Sequence, residues 1–194
     1  MNIIYLHGFK SSALSIKGQQ LKQYFVHDQN VQVHLPDLNQ PPCIVLQEMS
    51  ALIESLDQVA LVGSSLGGFY ATQLVAKYGV PAVLINPAMR PWQLFRELFG
   101  SSAIPLKVTE DWTLNDAQLD QLAEMAVPFV QDADKILVLL QQGDEVLDYR
   151  AAQRYYSAGE RHALIITEAK GNHAMEDFAD KIPMAYQFLS DCIK

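Results

Sequence analysis

Short apolar runs alternate with stretches of helical periodicity along this chain. Six runs of four or five residues are rich in Val, Ile and Leu and almost continuously apolar, which is typical of strands buried on both faces of a parallel sheet. These runs are Ile3–Leu6, Val31–Leu35, Val59–Val62, Ala82–Ile85, Ile136–Leu140 and Ala163–Thr167. The pattern predicts a six-stranded, mainly parallel sheet.

The stretches between these runs predict helices. After the proline pair at positions 41 and 42, apolar residues recur with the 3.6-residue period of an amphipathic helix. Three further helices are predicted over Gly68–Tyr78, Tyr149–Ala158 and Ile182–Ile193, and the first two are followed by glycine, a common helix terminator. Alternation of strand and helix predicts a doubly wound α/β fold.

Residues 86–135 interrupt the alternation. They place 50 residues between the fourth and fifth predicted strands, where a simple crossover needs far fewer. The segment holds both tryptophans, Trp92 and Trp112, and an acidic helical stretch, Asp116–Ala126. We predict a small cap over the carboxyl edge of the sheet, with a packed crossover as the alternative. We find no linker or internal repeat, so residues 1–194 are predicted to form one domain.

The third predicted strand ends in Gly63-Ser64-Ser65-Leu66-Gly67-Gly68 and leads directly into a helix. This is the G-x-S-x-G pattern in the strand–turn–helix context of a nucleophile elbow. The positions two residues before and after the nucleophile must be small because the strained turn crowds them, and that spacing selects Ser65 over Ser64. A phosphate loop would need lysine where Phe69 stands, and a dinucleotide fingerprint would need glycine at position 65.

Two loops elsewhere in the chain complement this elbow. In α/β-hydrolases, which the elbow resembles, an oxyanion hole is formed by backbone N–H groups of the residue after the nucleophile and of an earlier loop. Here these residues would be Leu66 and, in Leu6-His7-Gly8-Phe9, Phe9. His173 follows the last predicted strand and is placed to act as the base. His7 lies too early for the order of residues in this fold, so we interpret it as structural.

The acid of a catalytic triad is expected after the fifth predicted strand. The loop there carries three carboxylates, and Asp144 begins an Asp-x-Val-aliphatic string that resembles the acid loop of these hydrolases. Asp148 is the alternative acid, although an Asp at this position also suits the cap of the helix beginning near Tyr149. The chain order Ser65, Asp144, His173 matches the Ser…Asp…His order of the fold.

With these residues in place, the chain resembles the YqiA-like bacterial esterases, a compact α/β-hydrolase family. The matching stretches are Tyr5–Phe9, Gly63–Gly68, Asn86–Pro91, Gly143–Tyr149 and Gly171–His173, which run nearly end to end. The resemblance implies a minimal α/β-hydrolase fold with a small cap insertion. It also implies hydrolysis of small-molecule carboxylic esters with short acyl chains, without a cofactor or metal.

The composition of the chain indicates which classes of partner it is unsuited to bind. Lys and Arg number 14 against 22 Asp and Glu, a net charge of −8, and no basic cluster offsets it, which argues against binding nucleic acid. No apolar run approaches the ~20 residues that cross a bilayer, and the first residues lack the basic start of a secretory signal. We therefore expect a cytoplasmic protein that does not bind membranes, and leave its oligomeric state open.

Two alternatives to an esterase stay open. One is a thioesterase, and the other is a hydrolase-fold protein that binds a small molecule or partner without significant catalysis, since function depends on the site and not on the fold. The substrate-binding residues are not identified by the sequence. Arg90 could steer an anionic substrate or pair with a carboxylate at the base of the cap, and we favour the pairing.

Overall fold

The computed structural model describes residues 1–100 and 104–193. Its strands are β1 (Asn2–Leu6), β2 (Gln32–His34), β3 (Val59–Ser64), β4 (Ala82–Ile85), β5 (Leu106–Lys107), β6 (Thr113–Leu114), β7 (Ile136–Gln141) and β8 (Leu164–Glu168). Its helices are α1 (Ile16–Tyr24), α2 (Pro42–Glu54), α3 (Leu66–Tyr78), α4 (Pro91–Phe99), α5 (Asp116–Met125), α6 (Tyr149–Tyr156) and α7 (Phe178–Ile193). A 3-10 turn, Ala133–Lys135, precedes β7.

Six strands form one sheet in the order β2-β1-β3-β4-β7-β8. Every neighbouring pair in it is parallel, so the predicted α/β fold with a six-stranded parallel sheet is confirmed. Each of the six predicted strands matches an observed strand to within one or two residues at either end.

The sheet has a topological switch point between β1 and β3. From β1 the chain first forms β2 on one side and then places β3 on the other side, so the connections leaving these two strands diverge. Such a point opens a crevice at the carboxyl edge of a parallel sheet. The last residue of β1, Leu6, is paired with Gly63 of β3. The loops that follow β1 and β3 therefore emerge side by side.

Alternate residues of the central strands enter two separate cores, as expected of a sheet that is covered on both faces. On one face, Ile3 and Val62 pack with residues of α1 and α7, such as Leu21 and Phe178. The other face carries the larger core, which includes residues of α2, α3, α5 and α6. This is the doubly wound arrangement that the alternation of strands and helices predicts.

Two helices were not predicted, and one begins earlier than expected. The helix α1 was not predicted because its sequence carries no apolar stripe, and only Gly18 and Leu21 are buried in it. The helix α4 was predicted only as part of the insertion. The last helix begins at Phe178 and not at Ile182, with Pro183 in its second turn. Phe178 and Ile182 are both buried, and their packing offsets the helical hydrogen bond that the proline cannot make.

The described residues of the segment 86–135, which are 86–100 and 104–135, form an insertion with two helices and a small antiparallel pair, β5 and β6. It contains α4 and α5, and α5 confirms the predicted acidic helix. Asn115 and Gln118 cap the start of α5 reciprocally, each side chain bonding the other residue's backbone N–H. Leu119 and Leu122 of α5 belong to the larger core of the sheet. Whether the insertion works as a cap, and whether residues 1–194 form one domain, stay predictions.

Candidate active site

Ser65 lies at the turn from β3 into α3 in a conformation that a residue with a side chain rarely adopts. Its φ is 54° and its ψ is −117°, a strained conformation that costs about 1–3 kcal/mol and persists only where the surroundings enforce it. Its N–H donates to the carbonyl of Ile85 at 3.0 Å, and its carbonyl accepts N–H groups of Gly68, Phe69 and Ala88 at 2.9, 3.2 and 3.0 Å. These bonds hold the turn while the side chain stays partly exposed.

The glycines of the turn allow close contact with the end of β1. A Cβ atom at Gly67 would overlap the carbonyl oxygen of Leu6, and one at Gly68 would lie 2.8 Å from Cβ of Pro87. A Cβ at Gly8, in the loop after β1, would lie 3.2 Å from that of Ser65. The absence of side chains therefore brings the predicted oxyanion loop directly against the predicted nucleophile.

The structure brings Ser65, His173 and Asp144 together. Nε2 of His173 lies 3.0 Å from the hydroxyl oxygen of Ser65, and Nδ1 lies 2.8 Å from Oδ2 of Asp144. The Asp144 side chain is only 2% exposed, and its other oxygen accepts the N–H groups of Val146 and Leu147, both at 2.8 Å. Because a carboxylate only accepts, Nδ1 donates to it and Nε2 is left to accept the serine proton.

Asp148, the alternative acid, lies at a helix end. Its side chain is 52% exposed and accepts the N–H of Arg150 at 3.0 Å as the N-cap of α6. The guanidinium groups of Arg150 and Arg154 lie 3.8 and 3.9 Å from its two oxygens. Its carboxylate is thus engaged by α6, whereas that of Asp144 contacts the histidine.

Phe9 and Leu66, the two predicted oxyanion-hole residues, lie on the two loops that meet at Ser65. Leu66 is the first residue of α3, where a backbone N–H has no partner within the helix. Phe9 lies in a turn in which the N–H of Ser11 donates to the carbonyl of Gly8 at 3.2 Å. Within residues 1–100 and 104–193, neither the Phe9 nor the Leu66 N–H donates to a protein acceptor. Both donors are free to bind an oxygen.

The buried ring of His7 fastens the loop that carries Phe9. Nδ1 lies 2.8 Å from the carbonyl of Gly8 and donates to it, while Nε2 accepts the N–H of Leu38 at 2.8 Å. With Nε2 accepting, the 3.3 Å approach to Asp37 is not a hydrogen bond in this tautomer. The ring therefore serves the backbone of its own loop.

Asn86, at the end of β4, holds the loop that carries His173. Its side chain is 2% exposed, and its Nδ2 donates to the carbonyls of Asn172 and His173 at 3.1 and 3.2 Å. Its Oδ1 accepts the N–H of Gln141 at 3.0 Å. Asn86 was predicted only as part of a string that carries the family resemblance. Its position directly after a predicted central strand marks it as a candidate at the carboxyl edge of the sheet, but does not reveal its partners.

A second set of bonds supports the same loop from β7. The side chain of Gln141 accepts the N–H of Asn172 at 2.9 Å and donates to Glu168 and Asp177, both at 2.9 Å. Lys181 bonds the same two carboxylates at 2.6 and 2.8 Å. The Gln141 bond is the main cause that lowers the pKa of Glu168, and the Lys181 bond is the main cause for Asp177.

The exposed side chain of Glu145 also binds the histidine loop. It accepts the N–H of His173 at 3.0 Å, and that bond lowers the pKa of its carboxyl.

In the described part of the chain, no three His, Cys, Asp or Glu side chains are grouped to hold a metal ion. No helix there has both the length and the hydropathy to cross a bilayer.

The chain matches the model of a known protein family. Residues 2–190 match the model of UPF0227, which is described as an uncharacterised protein family. The chain belongs to the UPF0227 family. This family is YqiA-like, so the resemblance carried by the sequence motifs is confirmed at the level of the family, and the activity it implies is taken up below.

Solved structures similar to this UPF0227 chain are α/β-hydrolases. A putative hydrolase from Agrobacterium vitis is 16% identical, with a TM-score of 0.76 over 100% of this chain and 88% of that one. Est1E from Butyrivibrio proteoclasticus, with ferulic acid bound, is 16% identical, with a TM-score of 0.73 over 99% and 89%. Mouse alpha/beta hydrolase domain-containing protein 10 is 11% identical, with a TM-score of 0.71 over 100% and 90%. Together they show the fold.

Replacing Asn86 with aspartate should loosen the His173 loop. Asn86→Asp removes the two N–H bonds to the carbonyls of residues 172 and 173 and points a carboxylate at them, which should cost about 1–3 kcal/mol in the free energy of unfolding. Amide hydrogen exchange over residues 171–175 should also become faster. Gln142→Glu makes the same chemical change at an exposed side chain nearby and should have little effect. Equal effects of the two variants would show that Asn86 does not hold the loop.

Proposed function

We propose that this protein is a serine hydrolase that cleaves carboxylic esters through an acyl-enzyme intermediate. The observation that carries the proposal is the hydrogen-bonded series Ser65–His173–Asp144, with distances of 3.0 and 2.8 Å, at a strained strand–helix turn. A nucleophile, a base in contact with it and an acid that orients the base form a unit suited to nucleophilic catalysis.

In the proposed acylation step, Ser65 attacks the ester carbon while Nε2 of His173 takes the hydroxyl proton. Asp144 fixes the imidazole tautomer and stabilises the imidazolium that forms. The N–H groups of Phe9 and Leu66 bind the oxygen of the tetrahedral intermediate, where each such donor is typically worth about 3–4 kcal/mol. His173 then returns the proton to the leaving alcohol as the intermediate collapses.

Deacylation repeats these steps with water as the nucleophile. His173 removes a proton from water, the hydroxide adds to the acyl carbon, and Ser65 leaves with the proton that His173 returns. We propose that the substrate is a small-molecule ester, that the reaction needs no cofactor and that it takes place in the cytoplasm. Est1E, which has the same fold, binds a small organic acid, ferulic acid, and this supports the proposal of a small-molecule substrate.

A thioester could react by the same steps, because its acyl carbon presents the same electrophile to Ser65. The second alternative is a protein that binds without catalysis. Binding alone does not require a buried carboxylate bonded to a histidine, nor a histidine that contacts a partly exposed serine. An active-site-directed fluorophosphonate distinguishes catalysis from mere binding, since its phosphorus reacts only with an activated serine.

Ser65→Ala should abolish both ester turnover and fluorophosphonate labelling. We expect turnover to fall by roughly 10⁴-fold or more, as for removal of a triad nucleophile, with the melting temperature nearly unchanged. Ser64→Ala is the matched control because Ser64 is buried next to the turn; it should keep labelling. Retained turnover in Ser65→Ala together with its loss in Ser64→Ala would refute the assignment.

The acid can be tested by replacing each candidate carboxylate with an amide. Asp144→Asn should lower kcat by about 10⁴-fold, the effect of the corresponding change in a serine protease, because the amide favours the wrong imidazole tautomer. Asp148→Asn should leave kcat near the wild-type value and cost at most about 1–2 kcal/mol of stability, since asparagine also caps helices. The opposite order of kcat losses would make Asp148 the acid.

We propose that short acyl chains are preferred and that no interfacial activation occurs. The helix α5, which carries three acidic residues and no basic one, packs on the aromatic helix α4 in the insertion, whereas a lipid-binding surface helix is usually basic. The measurement is kcat/KM for butyryl and palmitoyl esters, with the palmitoyl ester below and above its aggregation concentration. A palmitoyl preference, or a rise in rate on aggregation, would contradict the proposal.

A further inference from the structure

A cavity of about 780 Å³ lies between α4, the end of α5 and α6. Part of its wall is apolar, with Met89, Trp92 and Leu147 among the lining residues. The insertion supplies one side of this cavity and the loop after β7 supplies the other. A volume of this size is in the range that holds a small organic ligand.

The cavity borders the groups that support the proposed triad. Pro87 and Met89 line it, and they flank Ala88, whose N–H donates to the carbonyl of Ser65 at 3.0 Å. Leu147, on the other side, donates its N–H to Asp144 at 2.8 Å. The side chains of Ser65 and His173 do not line the cavity, so a substrate held at Ser65 could reach it only with its remote end.

Arg90, on the wall of this cavity, differs from the other arginines in its lack of a nearby carboxylate among the described residues. All five arginines of the chain lie in its described part, and four of them, Arg96, Arg150, Arg154 and Arg161, lie within 4.0 Å of a carboxylate. Among residues 1–100 and 104–193, no carboxylate lies that close to Arg90.

Two acidic residues of the insertion, Asp116 and Asp120, bind Arg96 at 3.5 and 2.7 Å. The pairing favoured from the sequence for Arg90 is absent among residues 1–100 and 104–193. In a chain with a net charge of −8, an exposed guanidinium that has no carboxylate partner in the described residues is the exception.

The other charged residues of the wall are Glu97, Asp148 and Arg154. Asp148 is occupied by the start of α6 and by two arginines, one of them Arg154. Glu97 lies seven residues after Arg90 along α4, about 10 Å away at the helical rise per residue. An anion is therefore favoured at the Arg90 end of the cavity. Because two carboxylates also line the wall, a single negative charge suits it better than a double one.

We propose that this cavity is a subsite for a substrate carboxylate, which Arg90 binds several atoms away from the scissile carbonyl. The proposal rests on the proposed hydrolase function and narrows its substrates to esters that carry a remote carboxylate. A guanidinium matches a carboxylate with two parallel hydrogen bonds, and it supplies a local positive charge where the overall field of the protein repels anions.

The first test compares two acetyl esters that differ only in charge, 4-acetoxybenzoate and 4-acetoxybenzamide. The wild-type protein should favour the benzoate, and Arg90→Gln should lower the benzoate-to-benzamide ratio of kcat/KM roughly tenfold, as loss of a charged hydrogen bond predicts. Intrinsic reactivity cancels because the same two esters are compared in each variant. Arg161→Gln removes a charge of the same kind from a side chain that is paired with Asp132 and Asp134 and lies outside the cavity lining, and it should leave the ratio unchanged.

The second test measures binding, so that the subsite can be judged apart from catalysis. Calorimetry with the hydrolysis-resistant analogues 4-acetamidobenzoate and 4-acetamidobenzamide should show a preference for the benzoate that Arg90→Gln loses and Arg161→Gln keeps. If this holds while neither ester is turned over, the hydrolase proposal fails and the subsite stands. No benzoate preference in the wild-type protein, or equal effects of the two variants, would overturn the subsite. Tighter Arg90-dependent binding of 4-acetamidophenyl phosphate than of the benzoate would overturn the carboxylate assignment.

Discussion

The strained backbone of Ser65 is the constraint on which the rest of the site depends. Its φ of 54° persists because contacts from two neighbouring strands, from α3 and from the loop after β4 enforce it. Its N–H bonds the end of β4, its carbonyl accepts three N–H groups of α3 and the loop, and Gly67 packs against the end of β1. A shift of either neighbouring strand by one residue would remove a bond or create a clash. The geometry of the candidate nucleophile therefore depends on the register of the sheet.

The loop from β4 to α4 couples this turn to the histidine. Within three residues, the N–H of Ala88 bonds the carbonyl of Ser65, while the side chain of Asn86 bonds the carbonyls of residues 172 and 173. The 3.0 Å contact between the serine and the histidine is thus set by groups of this loop that take no part in the proposed reaction. Pro87, Met89 and Arg90 of the same loop line the cavity, so this part of the cavity wall is fixed to the candidate site.

Features that depend on local pattern could be predicted from the sequence. Buried strands show as continuous apolar runs, and the spacing of Gly63, Ser65 and Gly67 reflects crowding within a single turn, so the six strands and the position of the turn were found. The roles of Asn86 and Arg90 could not be found in this way. Each depends on which groups from distant parts of the chain come within hydrogen-bonding distance, and with 22 acidic residues the sequence does not show which arginine lacks a partner.

The insertion is bound to the sheet by apolar contacts on two sides. Leu119 and Leu122 of α5 are buried in the larger core, and Phe95 of α4 packs against Phe9 of the loop after β1 with ring centroids 4.5 Å apart. Exposing one such side chain costs about 1.5–3 kcal/mol, so moving the two helices away together would cost a large part of the stability of a domain of this size. Phe9 and the helix that begins after Arg90 are thus parts of one packed unit. Under the proposed function, substrates would be selected by the shape and charge of a cavity that is already formed, and not by closure of the insertion.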